Sequence, residues 1–248
     1  MYKKTKSVLI ALGLMMGTMS SSNAAMIELI TNGGFETGDF TGWTTTDLAT
    51  SSGQWHIDNG LVTPESGSAT VGPASGNFYA VTDQSGPGTH ALTQAFVVPE
   101  FTNSLLISFD MFMNNQASSV IVDPIGLDHT GVANQHARVD ILTSTASLFS
   151  IDLADVVQNL VAPGADAGAN PNRYTSYSFD IAGGFSAGTE YVLRFAETDN
   201  QLFFNQGVDN VSVIAKTNTT SVPGPASLGL FFMAFACMFS LKKIKAAR

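Results

Sequence analysis

Ser104-Leu105-Leu106-Ile107-Ser108-Phe109-Asp110-Met111-Phe112-Met113 is the stretch that decides the fold. Leu105, Ile107, Phe109, Met111 and Met113 fall on one side of an extended chain, while Leu106, Ser108, Asp110, Phe112 and Asn114 fall on the other. A period of two specifies a strand, and apolar residues on both faces suit a strand in the middle of a sheet. Similar short runs recur at 78–81, 91–97, 136–143, 148–151, 177–181, 191–195 and 208–214, separated by clusters of Gly, Asn, Asp, Ser and Pro. In 136–143, Ala137, Val139 and Ile141 share one face, and His136, Arg138 and Asp140 the other. The stretch 154–161 has helical spacing, but for one or two turns. Roughly ten short strands joined by loops predict an all-β domain over residues 25–216, a two-sheet sandwich or a barrel.

Composition narrows the function. Charged residues make up 12% of the 248, roughly half the usual share. Seven of the 11 basic residues sit at the two ends: Lys3, Lys4 and Lys6 before the first apolar run, and Lys242, Lys243, Lys245 and Arg248 after the last. The stretch between holds Arg138, Arg173, Arg194 and Lys216 against 20 carboxylates, a formal charge of −16 where the whole chain has −9. That field disfavours nucleic acids, anionic polysaccharides and lipid head groups as direct partners, calcium bridging apart, and leaves neutral glycans or matrix proteins. The single cysteine, Cys237, lies in the last apolar run, so no disulfide framework is available to the domain.

The ends read as addresses. Lysines, an apolar stretch from about Val8 to Met19, and small residues at Ser22 and Ala24 form a secretory signal over residues 1–24 with cleavage after Ala24. An uncleaved anchor helix is the alternative, and the run is short for one. Residues 226–241 carry no charge and are followed at once by the basic cluster, which marks the cytoplasmic end of a short transmembrane helix. A polar linker at 217–221, the Val222-Pro223-Gly224-Pro225-Ala226 motif, the apolar helix and the basic end resemble the PEP-CTERM sorting signal of Gram-negative bacteria. The resemblance covers residues 222–248 and departs from the family at Gly224, where Glu is usual. It implies the general secretion machinery and an exosortase as partners, an inner-membrane intermediate, and release to the outer surface or extracellular matrix.

The domain opens with Asn32-Gly33-Gly34-Phe35-Glu36 and Gly42-Trp43, and closes with Asp209-Asn210-Val211-Ser212-Val213. This pairing is similar to galactose-binding-like jelly rolls, the fold of many carbohydrate-binding modules. The resemblance covers about 20 residues. It implies a jelly-roll-like β-sandwich whose first and last strands are neighbours, with Glu36 and Asp209 sharing a structural calcium and Asn32 or Gly34 offering a carbonyl. The alternative is that Glu36 caps a turn and Asp209 sits on an edge strand.

Catalytic motifs are few. No His-Glu-x-x-His, Walker loop or dinucleotide fingerprint is present. The 123–140 stretch holds Asp128, His129, His136 and Asp140, either a transition-metal set or a loop leading into a strand whose Arg138 and Asp140 pair. Arg194 lies in an apolar strand, paired to a carboxylate or exposed to sugar hydroxyls. Trp43 is expected in the core. Trp55, Tyr79, Tyr174 and Tyr177 are candidate stacking platforms for sugar rings, and Asn200 opens a loop, 200–206, with two phenylalanines that either binds a glycan or partner or plugs the sandwich end. The leading expectation is a non-catalytic, adhesive or carbohydrate-binding surface protein. A secreted polysaccharide hydrolase with two nearby carboxylates, or a passive matrix component, are the alternatives.

Overall fold

The 104–113 stretch lies in a 14-residue strand at the middle of one sheet in the computed structural model, which describes residues 24–117, 126–164 and 170–218. The strands are β1 (Ala24–Glu28), β2 (Thr44–Asp47), β3 (Gln54–Asp58), β4 (Tyr79–Asp83), β5 (Gly88–Val97), β6 (Thr102–Asn115), β7 (Gln135–Thr143), β8 (Val156–Gly164), β9 (Thr175–Ala182), β10 (Glu190–Asp199) and β11 (Phe204–Asn218). The first sheet runs β3-β4-β11-β6-β9, with β1 also paired to β11; the second runs β2-β5-β10-β7-β8. Pairing is antiparallel in both sheets.

The alternation of β6 sorts as the sequence predicts. Leu105, Ile107, Phe109, Met111 and Met113 enter the space between the sheets with Val208, Val213 and Ala215 of β11. From the second sheet they meet Leu92 and Phe96, Val139 and Ile141, and Leu193 and Phe195. Burial of this many large apolar side chains is the main favourable term in a domain without disulfides. Phe112 points the other way and is still buried, because Tyr79, Val81, Val71 and Tyr174 form a small cluster over the outer face of the first sheet.

Two sequence expectations are corrected. Residues 148–151 form no strand: Leu148, Phe149 and Ile151 lie over the outer face of the second sheet against Ala91, Ala196 and Leu127. Two of these apolar residues are adjacent in sequence and pack on the same cluster, which an alternating strand forbids. The 154–161 stretch is not helical either. Val156 onward pairs with β7 through a ladder with several register shifts, and those irregularities blur the period-two pattern.

Residues 24–218 form one compact unit with its own core. Ala24 opens β1 and is the register partner of Asn218 at the end of β11, so the chain enters and leaves this unit side by side. β11 continues two residues into the stretch read as a polar linker. The signal segment before Ala24, the 222–226 motif and the 226–241 helix lie outside the described residues. Among the described residues, no helix is long and apolar enough to cross a membrane.

The opening and closing motifs meet. Val211 donates its backbone N–H to Gly33 O at 2.9 Å. A Cβ on Gly33 would lie 1.8 Å from Val211 O, so only glycine permits this approach. Trp43 donates Nε1–H to Asn32 O at 3.1 Å and packs its ring on Phe35 and Phe195, tying the first turn to the core. Gly33→Ala is expected to destabilise residues 24–218 by about 3 kcal/mol, read as a lowered denaturation midpoint in urea at unchanged slope.

Candidate functional site

Glu36 and Asp209 converge on one loop, from opposite ends of the chain. Asp209 Oδ2 accepts the Ala74 and Ser75 amides at 2.9 and 3.0 Å, and its Oδ1 accepts the Asn210 amide. Glu36 Oε1 accepts the Asn77 and Phe78 amides at 2.8 and 3.1 Å, and its Oε2 accepts Asn77 Nδ2. Gly76 sits between, where a Cβ would strike the Glu36 carboxylate at 2.2 Å. All four carboxylate oxygens thus face N–H donors. A calcium ion asks for roughly six to eight oxygens, and this donor set fits a loop clamp better than a cation. Among the described residues, no three His, Cys, Asp or Glu side chains gather as a metal site.

The other candidates are spoken for in similar ways. Arg194 is buried: its Nη1 donates to the Leu148 and Ser150 carbonyls, both at 2.8 Å, and its Nη2 to Asp140. Arg138 pairs with the same Asp140. The 148–151 segment is therefore pinned over the arginine, and no sugar reaches it. His129 faces the hydroxyls of Thr89 and Thr50, His136 faces Asn134, and Asp128 caps Thr130, so Asp128, His129, His136 and Asp140 are not brought together as one ligand set.

Of the four aromatic platforms expected from the sequence, Trp55 and Tyr79 are buried. Tyr174 donates its hydroxyl to Gly72 O and sets its edge on Phe112; Tyr177 stacks on Phe109 with ring centroids 5.1 Å apart. Each ring is committed to packing, because large aromatics contribute most where they exclude water.

A cleft of about 220 Å³ opens at the end of the sandwich where β4, β10 and β11 end or begin. One wall is residues 85–87, between β4 and β5; the other is residues 199–203, between β10 and β11. Asp199 lines it at only 3% exposure, while Leu202 and Phe203 are 55% and 39% exposed. Asn200 holds the second wall in place. Its Oδ1 accepts the Asn134 amide at 2.8 Å, and its Nδ2 donates to His129 O and Val132 O. Gln135 Oε1 accepts the Gln201 and Leu202 amides, both at 3.1 Å. Phe204, next in sequence, is fully buried and closes the core beneath. Asn200 thus lies at the site but spends its amide on the scaffold, and Phe203, which the sequence reading left without a role of its own, is the exposed aromatic.

The sequence matches no family model and no curated protein. Similar solved structures include TmCBM61 in complex with β-1,4-galactotriose, at 10% identity and a TM-score of 0.46 over 76% of this chain and 99% of that one. A Stig cyclase from Fischerella sp. TAU gives 16% and 0.45 over 79% and 100%, and the K3 cleaved adhesin domain of Lys-gingipain from Porphyromonas gingivalis W83 gives 17% and 0.44 over 77% and 99%. At such scores the likeness is one of strand arrangement, and function has to be argued from the residues.

Several acids here are held away from water. Burial pushes Asp199 up to about 6, against the opposing hydrogen bonds from Gln84 and Gly88; burial likewise pushes Asp209 up to about 6. Glu197, fully buried with His90 Nε2 4.0 Å away, is raised by burial and by the nearby Asp199. Asp140 goes the other way: burial works against ionisation, but Arg138 and Arg194 hold it below the usual range. Between its unfolded value of 3.8 and about 6, Asp199 keeps its proton in the folded state and loses it in the unfolded one. Stability therefore falls as pH rises through that window, by about 3 kcal/mol for this group. Residues 24–218 are expected to melt about 5 °C or more higher near pH 5 than near pH 7.5, by scanning calorimetry. The melts in millimolar calcium and in EDTA are expected to superimpose.

Proposed function

We propose that residues 24–218 form a non-catalytic glycan-binding module of an exported surface protein, and that the end cleft is where it binds. The observation that carries this reading is the composition of the cleft. Phe203 and Leu202 offer apolar surface to the face of a sugar ring, and Gln201 and Ser85 offer polar groups to its hydroxyls. A small apolar patch beside a few convergent polar groups is the usual form of a small-ligand site. Its volume suits about one ring at the end of a chain rather than a long polysaccharide groove. Hydrolysis of a glycosidic bond asks for two carboxyl groups flanking the bond, and Asp199 is the one acid among the lining residues. The proposed ligands are neutral glycans, in keeping with the acidic domain.

The sorting route completes the reading. The basic and apolar ends support export, capture by an exosortase through the 222–226 motif, and release at the outer surface of a Gram-negative cell. Calcium is not needed for the proposed binding, since the Glu36 and Asp209 oxygens already hold the 74–78 loop.

An array of neutral oligosaccharides, β-1,4-galactotriose among them, probed with residues 24–218 is expected to give binders with and without calcium. Phe203→Ala is expected to weaken them about tenfold, and loss of one stacking contact is of that size. An array without binders would leave a passive matrix role. Mass spectrometry of the surface-extracted protein is expected to find the 226–248 tail removed; an intact tail would end the sorting proposal.

A further inference from the structure

The two walls of the cleft share few ties, and Asp199 makes two of them. Its Oδ1 accepts the Gly88 amide at 3.1 Å, at the base of the 85–87 wall. Its Oδ2 accepts Gln84 Nε2 at 2.9 Å, and the same Nε2 also donates to Phe204 O at the base of the 199–203 wall. The carboxylate is nearly inaccessible to water, so no solvent hydrogen bond can replace either tie cheaply. A protonated carboxyl keeps one good acceptor oxygen and turns the other into a donor. Gly88 N–H and Gln84 Nε2–H are both donors, so the acid form can satisfy one tie, and it keeps the other only if the Gln84 amide turns its unpartnered Oε1 to the new O–H and so releases Phe204 O.

We propose that Asp199 is a positioning residue for the cleft: its ionised carboxylate fastens the 84–88 segment to the 199–204 segment, and ligand retention there requires that ionised form. This deepens the glycan-binding reading and rests on it for the ligand alone. Acidification loosens the walls even as it relieves the cost of burying the charge, because the first is local geometry and the second is the desolvation of the whole fold. Among the described residues, the ionisable groups facing Asp199 are Glu197 on its own strand and His90 on β5, the latter backed by Asp47 of β2 at 2.7 Å. Gln84 and Gln135, which approach from the β4–β5 loop and β7, are uncharged, and Asp83 sits on the outer side of β4 holding the Glu65 and Ser66 amides.

The deciding experiment is a pH titration of isotope-labelled residues 24–218 by nuclear magnetic resonance, with no ligand present. The Gly88 amide and the Asp199 carboxyl carbon are expected to shift together with one midpoint near 6. Corrected hydrogen exchange of residues 85–88 is expected to quicken about tenfold below that midpoint. The His90 ring lies against Gly88, so Asp199→Asn separates the two: its Gly88 amide should stay flat. A flat Gly88 amide in the wild type, different midpoints for the two nuclei, unchanged exchange, or a midpoint that survives in Asp199→Asn would each overturn the proposal. An array without binders removes the ligand reading and leaves the titration result standing, so the two failures are distinguishable.

Discussion

Carboxylates accepting backbone N–H groups hold this domain's loops in place. Asp83 holds Glu65 and Ser66, Asp209 holds Ala74 and Ser75, Glu36 holds Asn77 and Phe78, Asp199 holds Gly88, and Glu28 holds Leu29, Ile30 and Val213. Each such bond carries a charge and is stronger than its neutral counterpart. In a domain with no cysteine, they do the work that disulfides do in stapled folds. They also make sense of the charge distribution. An excess of acids over bases looks like a repulsive surface, yet many of these acids are turned to amide donors, which carry no formal charge and leave no counterion in the count.

The fastening explains which parts of the fold were legible in the sequence. Strand β6 was read correctly on both faces because alternation is local and its register is set by the core. That the opening motif would lie beside the closing one followed from the resemblance; the Gly33–Val211 hydrogen bond and the hold of Glu36 and Asp209 on the 74–78 loop did not. What failed was long-range cover. Leu148, Phe149 and Ile151 look like a strand until Arg194 draws two of the segment's carbonyls onto the outer sheet face. No local pattern announces that an arginine will be spent in this way.

The candidate site was half legible for the same reason. The 200–206 loop stood out as polar with two phenylalanines, and the structure divides their labour: Phe204 seals the core and Phe203 faces outward. The tyrosines were drawn into packing by rings whose positions depend on the fold, Phe109 for Tyr177 and Phe112 for Tyr174. The weight of Asp199 was invisible, since an acid at a strand end is common and only the tertiary fold shows it joining two walls.

Strand β11 begins under the cleft and ends beside the first residue of β1. Its fifteen residues, extended apart from a register shift between Asp209 and Ser212, span about 45 Å and connect the cleft to residue 218. A pull on a ligand resisted at residue 218 would run lengthwise along this strand. Its ladder with β6 would be loaded in shear, with many hydrogen bonds bearing at once, rather than peeled open one pair at a time. Under such a load β11 would serve as a tie rod.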